Sequence, residues 1–259
     1  MKISLLPISC YIITKNESRK IYDVLCSVIN LVQEVILIDS GSTDETVQIA
    51  EELGVKVVFN KWQGYGKQKR FGEQLCKYEW VLNLDGDEVL SQDLASSIRN
   101  VFETNIIDKF NFFYLRRQNI FPFGTQSFSL SGDSVIRLYK KSVVRYPDHP
   151  TWDKIKKPTD QKVKYLDGVI YHYWMKDFEH QVAKMNRYTS SLALHSPKKS
   201  MFSLTFRLLF GFQFDFLKAY FLRHHWLNGR YGFAVAVLYA FTRFMRVVKM
   251  MEKQMNKNN

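Results

Sequence analysis

The chain has 259 residues, 46% hydrophobic and 24% charged, a size and composition that bury one substantial core with a smaller appendage. No stretch is Gly/Ser/Pro-rich and no repeat period is visible, which excludes a linker-dominated chain, a solenoid and a propeller. The formal net charge of +12 suits an anionic partner, whether nucleic acid, phosphorylated sugars or anionic lipid, and equally a solubilising surface with no specific partner.

The N-terminal run MKISLLPISCYIITKNE pairs a charge with an apolar stretch, but no small-residue cleavage site follows it. Residues 8–13 read better as a strand buried on both faces. Ile21, Val24, Leu25, Val28, Ile29 and Val32 then fall on one helical face. Residues 35–38 form a second buried strand ending at Asp39. Ser42 and Glu45 make an S-x-x-E capping box for a helix through Ile49 and Leu53, with Gly54 as its stop. Residues 55–59 are a third strand, 68–75 a helix, and 80–84 a fourth strand ending at Asp85. This order implies an α/β fold, a mostly parallel central sheet with helices on both faces, and a ligand site beyond the carboxyl ends of the strands.

Further on, residues 110–116, 134–139 and 163–174 read as strands, and the pattern turns helical from about Phe178. The expected division is an α/β domain over 1–177, with halves 1–100 and 101–177, and a helical, basic, amphipathic region over 178–259. Cys10, Cys26 and Cys76 are odd in number and lack metal-type spacing. Cys10 and Cys26 sit in apolar runs where a buried, reduced thiol is the usual state, which favours a reducing cytoplasm.

Asp85-Gly86-Asp87 is the sharpest chemical feature. Carboxylates two apart at a strand exit face one ligand, and hard cations such as Mg²⁺ or Mn²⁺ bridge carboxylates to substrate phosphates. Most Asp-x-Asp triplets are solvated turns, but the place after the fourth strand favours a site. Asp39 stands comparably after the second strand, although Ser, Thr and Asp there are also ordinary helix caps. Thr14 and Glu17 follow the first strand on the same edge. Together these groups outline a nucleotide pocket.

The blocks T-K-N-E (14–17), I-D-S-G-S-T-D-E-T (38–46), W-Q-G-Y-G-K-Q-K-R (62–70) and W-V-L-N-L-D-G-D-E (80–88) resemble the family 2 inverting glycosyltransferases. More narrowly they resemble bacterial lipopolysaccharide-core β-1,4-glucosyltransferases, and R-L-Y (137–139), H-Y (172–173) and N-R-Y (186–188) extend the likeness over nearly the whole chain. The resemblance implies a GT-A fold, a nucleoside-diphosphate-sugar donor and a divalent metal, Mn²⁺ or Mg²⁺. It implies that Thr14 and Asp39 hold the nucleoside and that Lys69 meets the nucleotide or its diphosphate. Asp85 would touch ribose or a metal-bound water, and Asp87 would ligate the metal, with His172 completing its shell. His172 is equally readable as one ring of the 171–174 aromatic cluster. Arg187, or Lys184 a turn earlier, would neutralise the leaving diphosphate. Asp153 in Trp152-Asp153-Lys154-Ile155 is the implied general base, with Trp where relatives have His and with Asp148 as the fallback. Asp133 is read as acceptor-binding at best. The subgroup's habit is glucose from UDP-glucose onto a lipid-linked saccharide, the lipopolysaccharide inner core.

Phe202, Phe206, Leu209 and Phe210 form an apolar stripe with Arg207 and Lys218 nearby, and residues 233–244 are apolar almost throughout. Arg243 and Arg246 interrupt that run short of the roughly 20 residues a bilayer span needs. The expectation is a peripheral region lying on the anionic cytoplasmic face of the inner membrane, with plain packing or dimerisation as the bland alternative. A non-catalytic nucleotide- or sugar-binding protein and a sugar nucleotidyltransferase stay open as rivals, although the first strand does not lead into a Gly-rich phosphate loop. No zinc or RNP-like signature supports nucleic acid as a partner.

Overall fold

The computed structural model describes residues 4–121, 133–149 and 154–256. These divide into two compact units. The first holds the described chain to Gln118 and again from Asp133 to Tyr173; the second holds residues 119–121 and everything from Trp174 on.

The first unit is built on β1 (Leu6–Thr14), whose residues from Pro7 onward are almost all buried, as an apolar run flanked by strands on both sides requires. Helix α1 (Ile21–Ile29) packs Ile21, Val24, Leu25 and Val28 into the core. Val32, expected to prolong that helix, instead opens β2 (Val32–Asp39), because it pairs in register with Leu6 of β1. Helix α2 (Thr46–Glu52) begins later than expected, and the Ser42–Glu45 capping box does not form. Asp39 captures Ser42 instead: the serine hydroxyl donates to Asp39 Oδ1 at 2.5 Å and accepts from the Asn16 amide at 2.8 Å.

β3 (Lys56–Phe59) is followed by α3 (Tyr65–Leu75), which starts just after Gly64, a residue whose φ of 113° favours glycine. Next come β4 (Trp80–Asp85), β5 (Glu88–Leu90) and α4 (Gln92–Glu103), capped by the Ser91 hydroxyl. β6 (Phe112–Asn119), β7 (Ser134–Lys140) and β8 (Ile170–His172) complete the unit. The strand expected over 163–174 shrinks to β8, since its partner β5 offers only three residues to pair with.

The eight strands run in the order β3-β2-β1-β4-β7-β6-β8-β5. β3, β2, β1 and β4 are parallel, whereas β7 runs antiparallel to both β4 and β6, and β8 to β5. The sheet is therefore parallel in its N-terminal half and antiparallel beyond, a mixed sheet rather than a mostly parallel one. β1 lies between β2 and β4, so the chain leaves it to one side and returns on the other. That reversal opens a crevice at the carboxyl ends of β1 and β4.

Cys10 and Cys76 are buried, and desolvation raises both thiols, that of Cys76 to about 12. Cys26 is exposed, because it shares the outer face of α1 with Tyr22 and Asp23; the expectation of a buried thiol there is corrected.

In the second unit, α5 (Phe178–His195) and α6 (Met201–Leu217) are followed by a π-helical turn, a 3-10 turn and the long α7 (Gly229–Met255). Gly232, Ala236 and Ala240 give α7 a buried face of small residues. Three of its cations bond to the rest of the unit: Arg243 Nε meets Asp215 at 2.9 Å, Arg246 Nη2 donates to Ser196 Oγ at 2.9 Å, and Lys249 Nζ donates to Asn186 O and Ser190 Oγ at 2.8 Å each. By length and composition α7, with the 3-10 turn before it, reaches what a bilayer crossing needs; 22% of its apolar window is buried, and most of its other residues are partly covered. Phe202, Phe206, Phe210, Phe214, Leu217 and Phe221 form an exposed stripe along α6 and the π turn.

Candidate functional site

The site gathers at the β1/β4 crevice. β1 ends in Thr14, whose hydroxyl is buried and has no hydrogen-bond partner among the described residues. β4 ends in Asp85, and the turn through Gly86 and Asp87 leads directly into β5. The Gly86 amide donates to Ile13 O at 2.9 Å, holding the turn against β1. A Cβ on Gly86 would stand 2.7 Å from Thr14 Oγ1 and 3.1 Å from Glu17 Cγ, so only glycine fits there without displacement.

β8 brings the distant histidine to this turn. Glu88 pairs with His172 across the β5–β8 ladder, and the Tyr173 amide donates to Asp87 O at 2.9 Å. His172 Nε2 thereby lies 3.7 Å from Asp87 Oδ2, and both side chains are 18% exposed. The two residues singled out as metal ligands meet across 85 positions of sequence.

A pair of one carboxylate and one imidazole suits Mn²⁺ or Mg²⁺ when substrate phosphates supply further oxygens. Among the described residues no cluster of three or more His, Cys, Asp or Glu forms a complete cage. The pair fits a cation shared with a diphosphate, and the orphaned Thr14 hydroxyl beside it fits a hydroxyl-rich ligand.

Asp85 is held differently. Arg137 Nη2 donates to its Oδ2 at 2.8 Å, and Lys69 Nζ lies 3.2 Å from Oδ1. Burial pushes this carboxyl up, but the Arg137 and Lys69 charges outweigh it and hold it well below the usual carboxylate range. Lys69, expected to meet the nucleotide or its diphosphate, is 1% exposed, beneath Asp85 and 5.2 Å from the Tyr146 ring. Arg137 also donates to Glu88 Oε1 at 2.7 Å and to Tyr146 OH at 3.2 Å, and contacts Asn83. Its guanidinium is held well above its ordinary value, since two carboxylates more than offset its desolvation. Glu88, fully buried, accepts from the Asp85 amide at 3.0 Å. Arg117 bridges Glu88 and Asp133, which it meets at 3.3 and 2.9 Å.

Asp39 is 4% exposed and organises its own loop, accepting from the amides of Gly41 at 2.8 Å and Ser42 at 3.0 Å. Gln68, wholly buried on α3, ties this loop to the end of β3 by donating to Ser40 Oγ at 2.9 Å and Asn60 O at 3.1 Å. Glu17 is half-buried, its amide donating to Thr46 Oγ1 at 2.8 Å. Thr14, Glu17, Asp85, Asp87 and His172 thus converge on one edge, with Asp39 at the end of the next strand, where Thr14 pairs with it. Arg187 lies exposed on α5 in the second unit. Asp153 lies outside the described residues; Asp148 is described and exposed.

Arg137, Glu88, Asn83, Gln68 and Glu73 were not legible as positioning groups. Glu73 is fully buried and accepts from Arg145 Nε at 2.6 Å and Tyr139 OH at 3.0 Å. The one available signal was the R-L-Y block, where an arginine interrupts an apolar strand.

The glycosyl transferase family 2 model matches residues 9–108. An uncharacterized glycosyltransferase of Rickettsia typhi is 36% identical over 260 residues, covering 97% of this chain and 89% of that one. The lipopolysaccharide core biosynthesis glycosyltransferase LpsC of Rhizobium meliloti is 24% identical over 256 residues, covering 96% of this chain and 93% of that one. Among solved structures, S. aureus TarS superposes with a TM-score of 0.50 at 15% identity, over 95% of this chain and 54% of that one, a likeness of fold alone. The fold is GT-A, and the chain belongs to glycosyl transferase family 2.

Proposed function

We propose that this glycosyltransferase moves a hexose, glucose from UDP-glucose, onto a lipid-linked saccharide of the lipopolysaccharide-core type, inverting the anomeric centre with the help of a divalent cation. The observation that carries this reading is the meeting of Asp87 and His172 at 3.7 Å beside the orphaned Thr14 hydroxyl, in the crevice where the sheet reverses. The named activity of LpsC, which this chain resembles over nearly its full length, supports the acceptor class.

In this reading Thr14 and Asp39 bind the nucleoside, and the Gly86 turn lets the backbone approach it closely. Asp87 and His172 would hold the cation. When bound, that cation stabilises the charge growing on the departing diphosphate. Arg137 and Lys69 keep Asp85 ionised and fixed, so the site is preformed and needs no reorganisation as charge develops. The acceptor hydroxyl oxygen attacks the anomeric carbon as the bond to the β-phosphate oxygen breaks. Asp153, with Asp148 as the fallback, takes the hydroxyl proton, and the electron pair of the broken bond leaves on UDP.

The second unit is assigned to attachment at the cytoplasmic face of the inner membrane, peripherally, through the exposed stripe from Phe202 to Phe221. The inward hydrogen bonds and ion pair of Arg243, Arg246 and Lys249 support a packed α7 over a bilayer-crossing one.

Thermal unfolding with UDP and UDP-glucose, with and without Mn²⁺, tests the donor site, because a ligand of the native state raises apparent stability. A metal-dependent rise that disappears in Asp87→Ala is expected, together with loss of sugar transfer. Near-normal turnover by a folded Asp87→Ala protein would remove the cation from the mechanism.

A further inference from the structure

The second unit contains a cavity of about 330 Å³ among α5, α7 and Trp174. That is the lower end of the size range of small-molecule sites. Met185, Leu192, Val235 and Leu238 give it an apolar wall. Its polar lining is unusual. Seven buried side-chain nitrogen or oxygen atoms among the described residues lack a hydrogen-bond partner, and three of them belong to residues lining this cavity: Trp174 Nε1, Gln181 Oε1 and Arg246 Nε.

Buried polar atoms are rarely left unpaired, because desolvation is then uncompensated. Three around one cavity describe a set of groups arranged for something that enters it. Two are donors, and one of these belongs to a guanidinium. Arg246 gives one nitrogen to the neutral Ser196 hydroxyl and makes no ion pair among the described residues. The neighbouring Arg243, in contrast, is already matched by Asp215 at 2.9 Å. An anionic oxygen answers both Arg246 Nε and the indole N–H. The Gln181 carbonyl accepts from a hydroxyl, and the aliphatic wall accepts hydrocarbon but no second charge.

We propose that this cavity binds an anionic amphiphile: a hydrocarbon chain against Met185, Leu192, Val235 and Leu238, and a carboxylate or phosphate on Arg246 and Trp174. The source is either a free fatty acid or the headgroup end of an anionic phospholipid, which share this chemistry. The inference stands on the second unit alone and is independent of the donor site.

Calorimetric titration of the full chain with dodecanoate below its micelle concentration tests it, beside methyl dodecanoate and dodecanoyl lysophosphatidylglycerol. One-to-one binding of dodecanoate or of the lysophospholipid is expected; the tighter of the two identifies the source. The methyl ester should bind at least about tenfold more weakly than dodecanoate, the loss that removing one charge-assisted hydrogen bond implies. Leu238→Trp, which fills the cavity, should abolish binding, and Arg246→Gln should weaken it by about the same tenfold. Equal affinity for acid and ester, unchanged binding by Leu238→Trp, or no binding by either anion would overturn the proposal. Should Leu238→Trp lose cooperative unfolding, Arg246→Gln and the ester decide the matter.

Discussion

The two units solve opposite problems. The first buries its charges: Asp85, Glu88, Arg137 and Lys69 form a connected network beneath the site, with side chains between 0 and 24% exposed. The second leaves a stripe of apolar groups outside: Phe202 is 84% exposed and Phe214 66%, while Arg243, Arg246 and Lys249 of α7 bond to hydroxyls, carbonyls and Asp215. A buried network fixes geometry, which a catalytic crevice needs. An uncovered aromatic stripe fixes nothing by itself and is explained by what it meets.

Breaking the network should have the largest effect. Arg137→Met leaves Asp85 to Lys69 alone and the buried Glu88 to the longer 3.3 Å contact with Arg117, and the expected loss in urea unfolding is about 3–5 kcal/mol. A loss below about 1 kcal/mol would mean the network is dispensable for folding. Breaking the stripe should act on location and leave stability alone. Phe206→Ser with Phe210→Ser should lower binding to anionic liposomes by roughly two orders of magnitude, as withdrawing two aromatic rings implies. Unfolding should shift by no more than about 0.5 kcal/mol. Unchanged flotation would assign the stripe to a protein partner.

Gly86→Ala sharpens the comparison inside the first unit. Its methyl would press on Thr14 Oγ1, and a cost of about 1–3 kcal/mol is expected with donor binding reduced further than stability. The smallest effect concerns thiols. In the native protein at neutral pH iodoacetamide should modify Cys26 and spare Cys10 and Cys76, whose raised values keep them protonated, and mass spectrometry of the labelled peptides reads this directly. Labelling at Cys76 would show the first unit to be looser than its packing implies.

Much of this was legible in the sequence, and the boundary has a physical meaning. Apolar runs ending at Thr14, Asp39 and Asp85 announced parallel strands and the edge on which a ligand sits, because period and termination are local properties. Ser42 misled because its capping pattern is also local, whereas its partner Asp39 is chosen by the loop. The roles of Arg137, Glu88 and Gln68 were hidden, since a buried polar residue makes sense only beside a partner brought from elsewhere. Cys26 was misread because an apolar neighbourhood in sequence does not say which side of a helix faces water.

The pairing of β5 with β8 has a consequence for the order in which the protein comes into being. Asp87 is synthesised long before His172, and Asp85 long before Arg137, whose charge it needs. Chains emerge from the ribosome N-terminus first. A half-made chain can therefore carry the entire Asp-Gly-Asp turn and still lack the Asp87–His172 pair and the Arg137 contact. The pair forms only when β8 emerges and closes its three-residue ladder on β5.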